Sequence, residues 1–195
     1  MRICLIPARG GSKRIPRKNI KEFHGKPIIQ YSIECANRSG LFDKIFVSTE
    51  DVEIGDIARK AGAGFIGRPR RLADSETGTQ AVVANFCNDF FADPNPDDLV
   101  CYIYATSPLM SEHDLKRGLD ALTTNRNIAY AISVGDNPLQ DAAQFYWGYA
   151  SSFMKDVPIF GERTAMVPIT PDRVCDINTI GDWVKAERMY GQLNK

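Results

Sequence analysis

Between Pro7 and Asn19 the chain reads Pro-Ala-Arg-Gly-Gly-Ser-Lys-Arg-Ile-Pro-Arg-Lys-Asn. Adjacent glycines at Gly10 and Gly11 let backbone N–H groups approach a ligand, and Ser12, Lys13 and Lys18 add a hydroxyl and point charges. This is chemistry suited to cradling phosphate. The segment contains neither G-x-x-x-x-G-K-[ST] nor G-x-G-x-x-G, which argues against a P-loop NTPase and against a dinucleotide-binding dehydrogenase. The same residue types also describe a solvated basic loop, and composition alone leaves the two readings level. Charge is uneven along the chain. Residues 1–26 hold eight basic side chains and one acid, an excess of +7, while 24 Lys+Arg against 24 Asp+Glu make the whole chain neutral, so the remainder carries −7. A nucleic-acid binder more often spreads positive charge over a whole face, so a local anionic ligand fits better than nucleic acid. His24 and His113 have no metal-ligand neighbours at useful spacing and read as surface residues.

The elements that must position this loop are legible in the hydrophobic pattern. RICLIP is a buried first strand ended by Pro7, feeding the basic segment. Pro27 starts a helix with Ile29, Ile33 and Ala36 on one face, stopped by Gly40. A strand follows at Lys44 to Thr49, then a helix with Ile54, Ile57, Ala58 and Ala61 inward, closed by Gly62. The unit repeats: strand Phe65-Ile66, a helix carrying Val83, Phe86 and Phe90, and strand Leu99 to Tyr104. Ser111 with Asp114 signals the cap of a helix with Leu115, Leu119 and Leu122 inward, and Ile128 to Val134 is another strand. Alternation of this kind predicts a mostly parallel sheet with helices on both faces and a ligand beyond the strands' carboxyl ends. After Val134 the pattern loosens into short strand-like pieces at Phe145-Tyr146-Trp147, Pro158-Ile159-Phe160 and Met166-Val167. A last helix begins at Thr179 with Trp183, Ala186 and Tyr190 on one side.

With 195 residues, 44% of them apolar and 25% charged, the chain is expected to form a single soluble domain over 1–195. No apolar run approaches the roughly 20 residues needed to cross a bilayer, and no signal-peptide core forms at the start, so no membrane partner and a cytoplasmic location are expected. Five cysteines without a Cys-x-x-Cys spacing read as reduced, mostly buried small hydrophobes.

The run at 7–19 resembles the signature loop of the acylneuraminate cytidylyltransferases. It is joined in family order by Gly25-Lys26-Pro27, Val47-Ser48-Thr49, Arg68-Pro69 with Leu72, Thr106-Ser107-Pro108, Gln144-Phe145-Tyr146-Trp147-Gly148 and Asp176-Ile177-Asn178-Thr179 with Asp182-Trp183. Thr77-Gly78-Thr79, Tyr104 and the run at 144–148 are most similar to the pseudaminic acid branch. The resemblance implies a Rossmann-like three-layer α/β/α sheet of the nucleotide-diphospho-sugar transferase type. It also implies a reaction in which the anomeric hydroxyl of a sugar acid attacks the α-phosphate of CTP and expels pyrophosphate, with Mg2+ assisting. Other sugar acids, N-acetylneuraminate or 3-deoxy-manno-octulosonate, remain open as substrates, as does a catalytically degenerate CTP-binding homologue.

By motif position the resemblance assigns Arg9, Ser12, Lys13 and Lys18 to the triphosphate, Ala8, Gly10 and Gly11 to backbone contacts with it, Asn19 and Arg68 to the nucleotide, and Thr79 to the base. Arg9, Lys13, Lys18 and Asp176 are the expected catalytic groups. Tyr104, Gln144 and Tyr146 are expected to face the sugar, whereas Phe145 and Trp147 read as core. Asp176 and Asn178 are the expected metal ligands. The family pattern there is Asp-Ile-Asp, so Asn178 offers a carbonyl oxygen without negative charge and weaker metal binding is expected. Relatives also carry an arm that packs on a partner subunit and closes its sugar site. Here Ser133-Val134 is soon followed by Pro138-Leu139-Gln140 and at once by Asp141, so roughly thirty residues of that pattern are absent. The resemblance implies a homodimer, and a chain without the arm would lose that contact. Ala143 stands where relatives carry Gly, and loss of a positive φ or of a close ligand approach is expected there.

Overall fold

The computed structural model describes residues 1–74, 76–137 and 140–194. Strand β1 (Arg2–Pro7) leads through a long loop, with a single 3-10 turn at Lys18–Ile20, to the two-residue strands β2 (Glu22–Phe23) and β3 (Lys26–Pro27). Then come α1 (Ile28–Ser39), β4 (Lys44–Thr49), α2 (Val52–Lys60), β5 (Gly64–Gly67), α3 (Thr79–Phe90), β6 (Leu99–Ile103), α4 (Glu112–Thr124) and β7 (Tyr130–Val134). The chain closes with β8 (Asp141–Tyr149), α5 (Ala150–Met154), β9 (Thr164–Pro168) and α6 (Ile180–Leu193). Caps fall where the sequence puts them. Gly40 ends α1 at φ 62°, Ser111 accepts from the Asp114 N–H at the start of α4, and Thr179 with Asp182 forms a reciprocal capping box on α6.

Seven strands form one sheet in the order β5-β4-β1-β6-β8-β7-β9. All neighbouring pairs are parallel except those of β8, which runs antiparallel to both β6 and β7. One face carries α1, α2 and α4 through Ile33, Ala58 and Leu119 against Cys4, Ile6, Phe145 and Trp147. The other carries α3 and α5 through Val83, Phe86 and Phe153 against Ile3, Leu5, Tyr102 and Tyr146. The α/β three-layer architecture is thus as expected, with two corrections. Residues 141–149 are not a short piece but a nine-residue strand buried in mid-sheet, where a two-sided environment removes the apolar-polar alternation that marks a strand in sequence. Pro158-Ile159-Phe160 forms no strand. Pro138 and Leu139, at the expected join, lie outside the described residues.

The chain leaves β1 for β4 on one side and returns to β6 on the other, so strand order reverses beside β1. A crevice is expected at the carboxyl ends there. A third cluster shapes that crevice: Ile15 of the basic loop, Phe23, Ile28, Tyr31, Ile177 and Trp183 pack together, with the Phe23 ring edge-on to Tyr31, Trp183 and Tyr190 at 5.4–5.6 Å. Burying Ile15 contributes about 1.5–3 kcal/mol and fastens the middle of the loop to α6.

Candidate functional site

A cavity of about 420 Å³ opens at these carboxyl ends. The loop after β1 contributes Arg9, Ser12, Lys13, Arg14, Lys18 and Asn19, and the residue after β5 is Arg68. Asp74, Thr77 and Thr79 come from the entry to α3, Tyr102, Tyr104 and Thr106 from the end of β6, and Asn178 from the segment before α6. Five cations therefore line one cavity, and among the described residues none of them forms an ion pair. Asp74 is the one carboxylate among the lining residues. The Thr77 hydroxyl and the N–H groups of Thr77 and Glu76 hold it below the usual carboxylate range.

Two of the cations are substantially buried. Arg68 is 9% exposed and its Nε has no hydrogen-bond partner. Burial pulls its pKa down, opposed by Tyr102 and Glu50 and reinforced by Arg9. Lys18 donates from Nζ to the Ile177 carbonyl at 2.7 Å. Burial lowers its pKa too, with Asp176 acting against that and Arg14 and Arg9 with it. Desolvated, unpaired like charges are costly, and a polyanion is the ligand that would satisfy them.

The loop is held mostly by groups that do not line the cavity, Asn19 being the exception. Arg17, at φ 55°, donates to both Asp51 carboxylate oxygens and to Glu53 at 2.5 Å, while Asp51 caps α2 through the Ile54 N–H. Gly10 packs so closely on Asp51 that a Cβ would lie 2.5 Å from its Oδ2. The Gly10 N–H donates to Glu50 at 2.7 Å, the Ala8 N–H to the Ser48 carbonyl at 2.9 Å, and Asn19 ties down the Arg9 carbonyl at 2.9 Å.

The model of the family described as "Cytidylyltransferase" matches residues 3–146. The chain belongs to this cytidylyltransferase family. It is 34% identical to the pseudaminic acid cytidylyltransferase of Campylobacter jejuni subsp. jejuni serotype O:2, over 96% of this chain and 95% of that one. That alignment spans 222 positions against a chain of 195 residues, so the relative carries segments that this chain lacks. Among solved structures, a CMP:2-keto-3-deoxy-manno-octonic acid synthetase complexed with CTP shares the fold at TM-score 0.76 and 14% identity, covering 98% of this chain and 99% of that one. A Mycobacterium tuberculosis protein solved in complex with manganese shares it at TM-score 0.65 and 12% identity, covering 96% and 97%.

Of the residues expected in a cytidylyltransferase site, Arg9, Ser12, Lys13, Lys18, Asn19, Arg68, Thr79, Tyr104 and Asn178 line the one cavity. Ala8, Gly10 and Gly11 do not. The N–H groups of Ala8 and Gly10 are spent inside the protein, so neither is free for a ligand. Gln144 also stands off the wall: it is 3% exposed, its Nε2 donates to the Arg173 carbonyl at 2.6 Å, and its Oε1 has no partner. Tyr146 lies behind Tyr104, the two phenolic oxygens 2.8 Å apart. Ala143 has not lost the left-handed conformation expected of Gly; it adopts φ 51° itself. Arg14 and Asp74 reach the cavity without having been singled out. Five cations and no acid in residues 7–19 give no sign of which side chains turn inward.

Asp176 is exposed, and its Oδ2 accepts from Asn178 Nδ2 at 2.5 Å, while Asn178 Oδ1 accepts from Arg14 at 2.8 Å. Among the described residues no group of three or more His, Cys, Asp or Glu could hold a metal. Asp176 beside a polyanion site fits a hard cation that keeps several waters and takes its remaining ligands from phosphate, and Asn178 would offer its oxygen on releasing Arg14.

Proposed function

We propose that the chain transfers CMP from CTP to the anomeric hydroxyl of a nonulosonic acid, with pseudaminic acid the expected acceptor, and releases pyrophosphate, the whole chain 1–195 acting as one catalytic unit. The observation that carries this reading is a cavity lined by five cations and one carboxylate, with none of the cations in an ion pair among the described residues, in a cytidylyltransferase chain. Similarity to the Campylobacter jejuni enzyme along nearly the full length supports the choice of sugar.

Negative charge grows on the leaving pyrophosphate during an in-line displacement, so fixed cations stabilise the transition state more than the ground state. Arg9, Lys13 and Lys18 supply that charge, with Ser12 orienting the phosphates and Asn19 lying against the nucleotide. Arg68 and Thr79 hold the nucleoside side, and Tyr104, which lines the same cavity, faces the acceptor sugar in this reading. Asp176 and Asn178 would hold a divalent cation, Mg2+ by preference, and bound there it neutralises phosphate charge. Nucleotide and sugar acid, rather than nucleic acid, are the partners.

Pyrophosphate release from CTP and Mg2+ is measured in parallel with pseudaminate, N-acetylneuraminate and 3-deoxy-manno-octulosonate. Release with pseudaminate is expected; release with another acid alone reassigns the acceptor, and silence with all three beside measurable CTP binding identifies a degenerate binder. In the active protein, Asn178→Asp restores a second carboxylate and should lower the Mg2+ concentration giving half-maximal rate by about tenfold or more, a gain of ~1.4 kcal/mol or above. An unchanged requirement would show that Asn178 does not touch the metal.

A further inference from the structure

Asp141 sits at the first position of β8, immediately after the turn that joins it to β7. Its Oδ1 accepts from the Ala143 N–H at 2.8 Å, and Ala143 holds the left-handed backbone, φ 51°, that turns this N–H back toward the carboxylate. Its Oδ2 faces two phenols: Tyr146 donates to it directly, and the Tyr104 hydroxyl lies at 3.4 Å. The Tyr104 and Tyr146 oxygens are 2.8 Å apart, and the Tyr102 ring packs on both. Of the two phenols only Tyr104 lines the cavity. Thr79 stands at the same wall, its hydroxyl beside the phenols of Tyr102 and Tyr104.

A carboxylate only accepts, and each phenol has one proton to give. The Tyr146 proton is committed to Asp141, so the Tyr146 oxygen becomes an acceptor. The Tyr104 proton then goes to Tyr146 or to Asp141, and in either case it points away from the cavity. Burial raises the pKa of both phenols, which keeps both protons in place through the neutral range. We infer that Asp141 is a positioning and specificity residue that, through Tyr146, fixes the Tyr104 phenol as a hydrogen-bond acceptor toward the cavity, selecting an acceptor sugar that presents a hydroxyl or amide N–H there. This rests on the proposed transfer to a sugar acid, and it adds a residue whose identity as a carboxylate sets the polarity of the sugar side.

Asp141→Asn keeps the shape and the oxygen that accepts from Ala143, but it puts an N–H where Oδ2 was. That amide donates to Tyr146, frees the Tyr146 proton for Tyr104, and lets Tyr104 donate into the cavity. A donor facing a donor leaves a buried polar group unpaired, so KM for the sugar acid should rise about tenfold or more while KM for CTP stays within twofold. Tyr146→Phe leaves Asp141 as the acceptor for the Tyr104 proton, so it should shift the sugar-acid KM less than Asp141→Asn does. In a Tyr104→Phe background, already impaired, Asp141→Asn should add nothing further, because the group it orients is gone.

An active wild type whose Asp141→Asn variant keeps its sugar-acid KM overturns the inference. So does a loss equal in the wild-type and Tyr104→Phe backgrounds, which would mark a merely structural role. A wild type silent with every sugar acid overturns the parent reading instead, and the inference falls with it.

Discussion

At the scale of single residues, Arg68 and Lys18 show a site that trades stability for binding. Arg68 is buried with an unsatisfied Nε and, among the described residues, no ion pair, so the ligand-free chain bears a desolvation that Glu50 only partly offsets. Arg68→Met should stabilise the free protein by about 1–3 kcal/mol, raising Tm by several degrees, and abolish the rise in Tm that CTP produces. Thermal melts with and without CTP check both halves, and a variant that melts lower yet still responds to CTP would refute the assignment. Lys18 makes a prediction of opposite signs. Its folded pKa is lowered below the ordinary 10.5, so between the two values the unfolded chain binds the extra proton. Stability therefore rises with pH through that window, while kcat/KM for CTP falls as the Lys18 charge is lost. Lys18→Met should remove the alkaline rise in stability, as read by denaturant titration across pH, and cripple turnover.

At the scale of elements, the bulge in β8 is where the sheet serves the site. Ala143 carries a conformation that costs an L-residue about 1–2 kcal/mol, against the chain-entropy cost of about 0.5–1 kcal/mol that Gly would bring. Ala143→Gly should keep the N–H bond to Asp141 and raise stability by up to about 1 kcal/mol, without changing the KM for either substrate. A destabilised variant would show that the Ala methyl packs usefully. The bulge also explains the double acceptance by the Ser133 hydroxyl, which takes the N–H groups of Gln144 and Phe145 at 3.2 and 3.1 Å where the register shifts. The amphipathic helices and the first four main strands were legible because each buries one face or one clear apolar run. The bounds of β8 were not, since both its faces are covered and its turn geometry depends on a residue type that usually avoids it.

At the scale of the whole molecule, the described part of the β7–β8 connection closes as a tight turn, with the Gly135 N–H on the Gln140 carbonyl at 2.8 Å. Among the described residues no arm leaves the body there. A chain without the family's arm contact is expected to give 21.7 kDa by light scattering. A mass of about twice that would place a dimer on another surface, and edge strand β9, with Met166 41% exposed, is the first region to mutate. Among the described residues no helix is long and apolar enough to cross a membrane.

The sequence by itself determined the alternation of strand and helix, the capping signals at Ser111 and Thr179, and a basic, glycine-containing loop suited to phosphate. These are local properties: periodicity, cap chemistry and residue type act within a few positions of the chain. It also supplied the departure at Asn178, because a missing charge is visible wherever the residue ends up. Only the tertiary structure decided which cations face inward, that the Gly10 N–H is spent on Glu50, that Gln144 sits beneath residues 171–173, and that Asp141 meets Tyr104 and Tyr146. Each of these depends on partners brought together from distant segments or on a backbone turn such as that at Ala143, and hydrogen-bond direction is set by the partners present rather than by the residue alone.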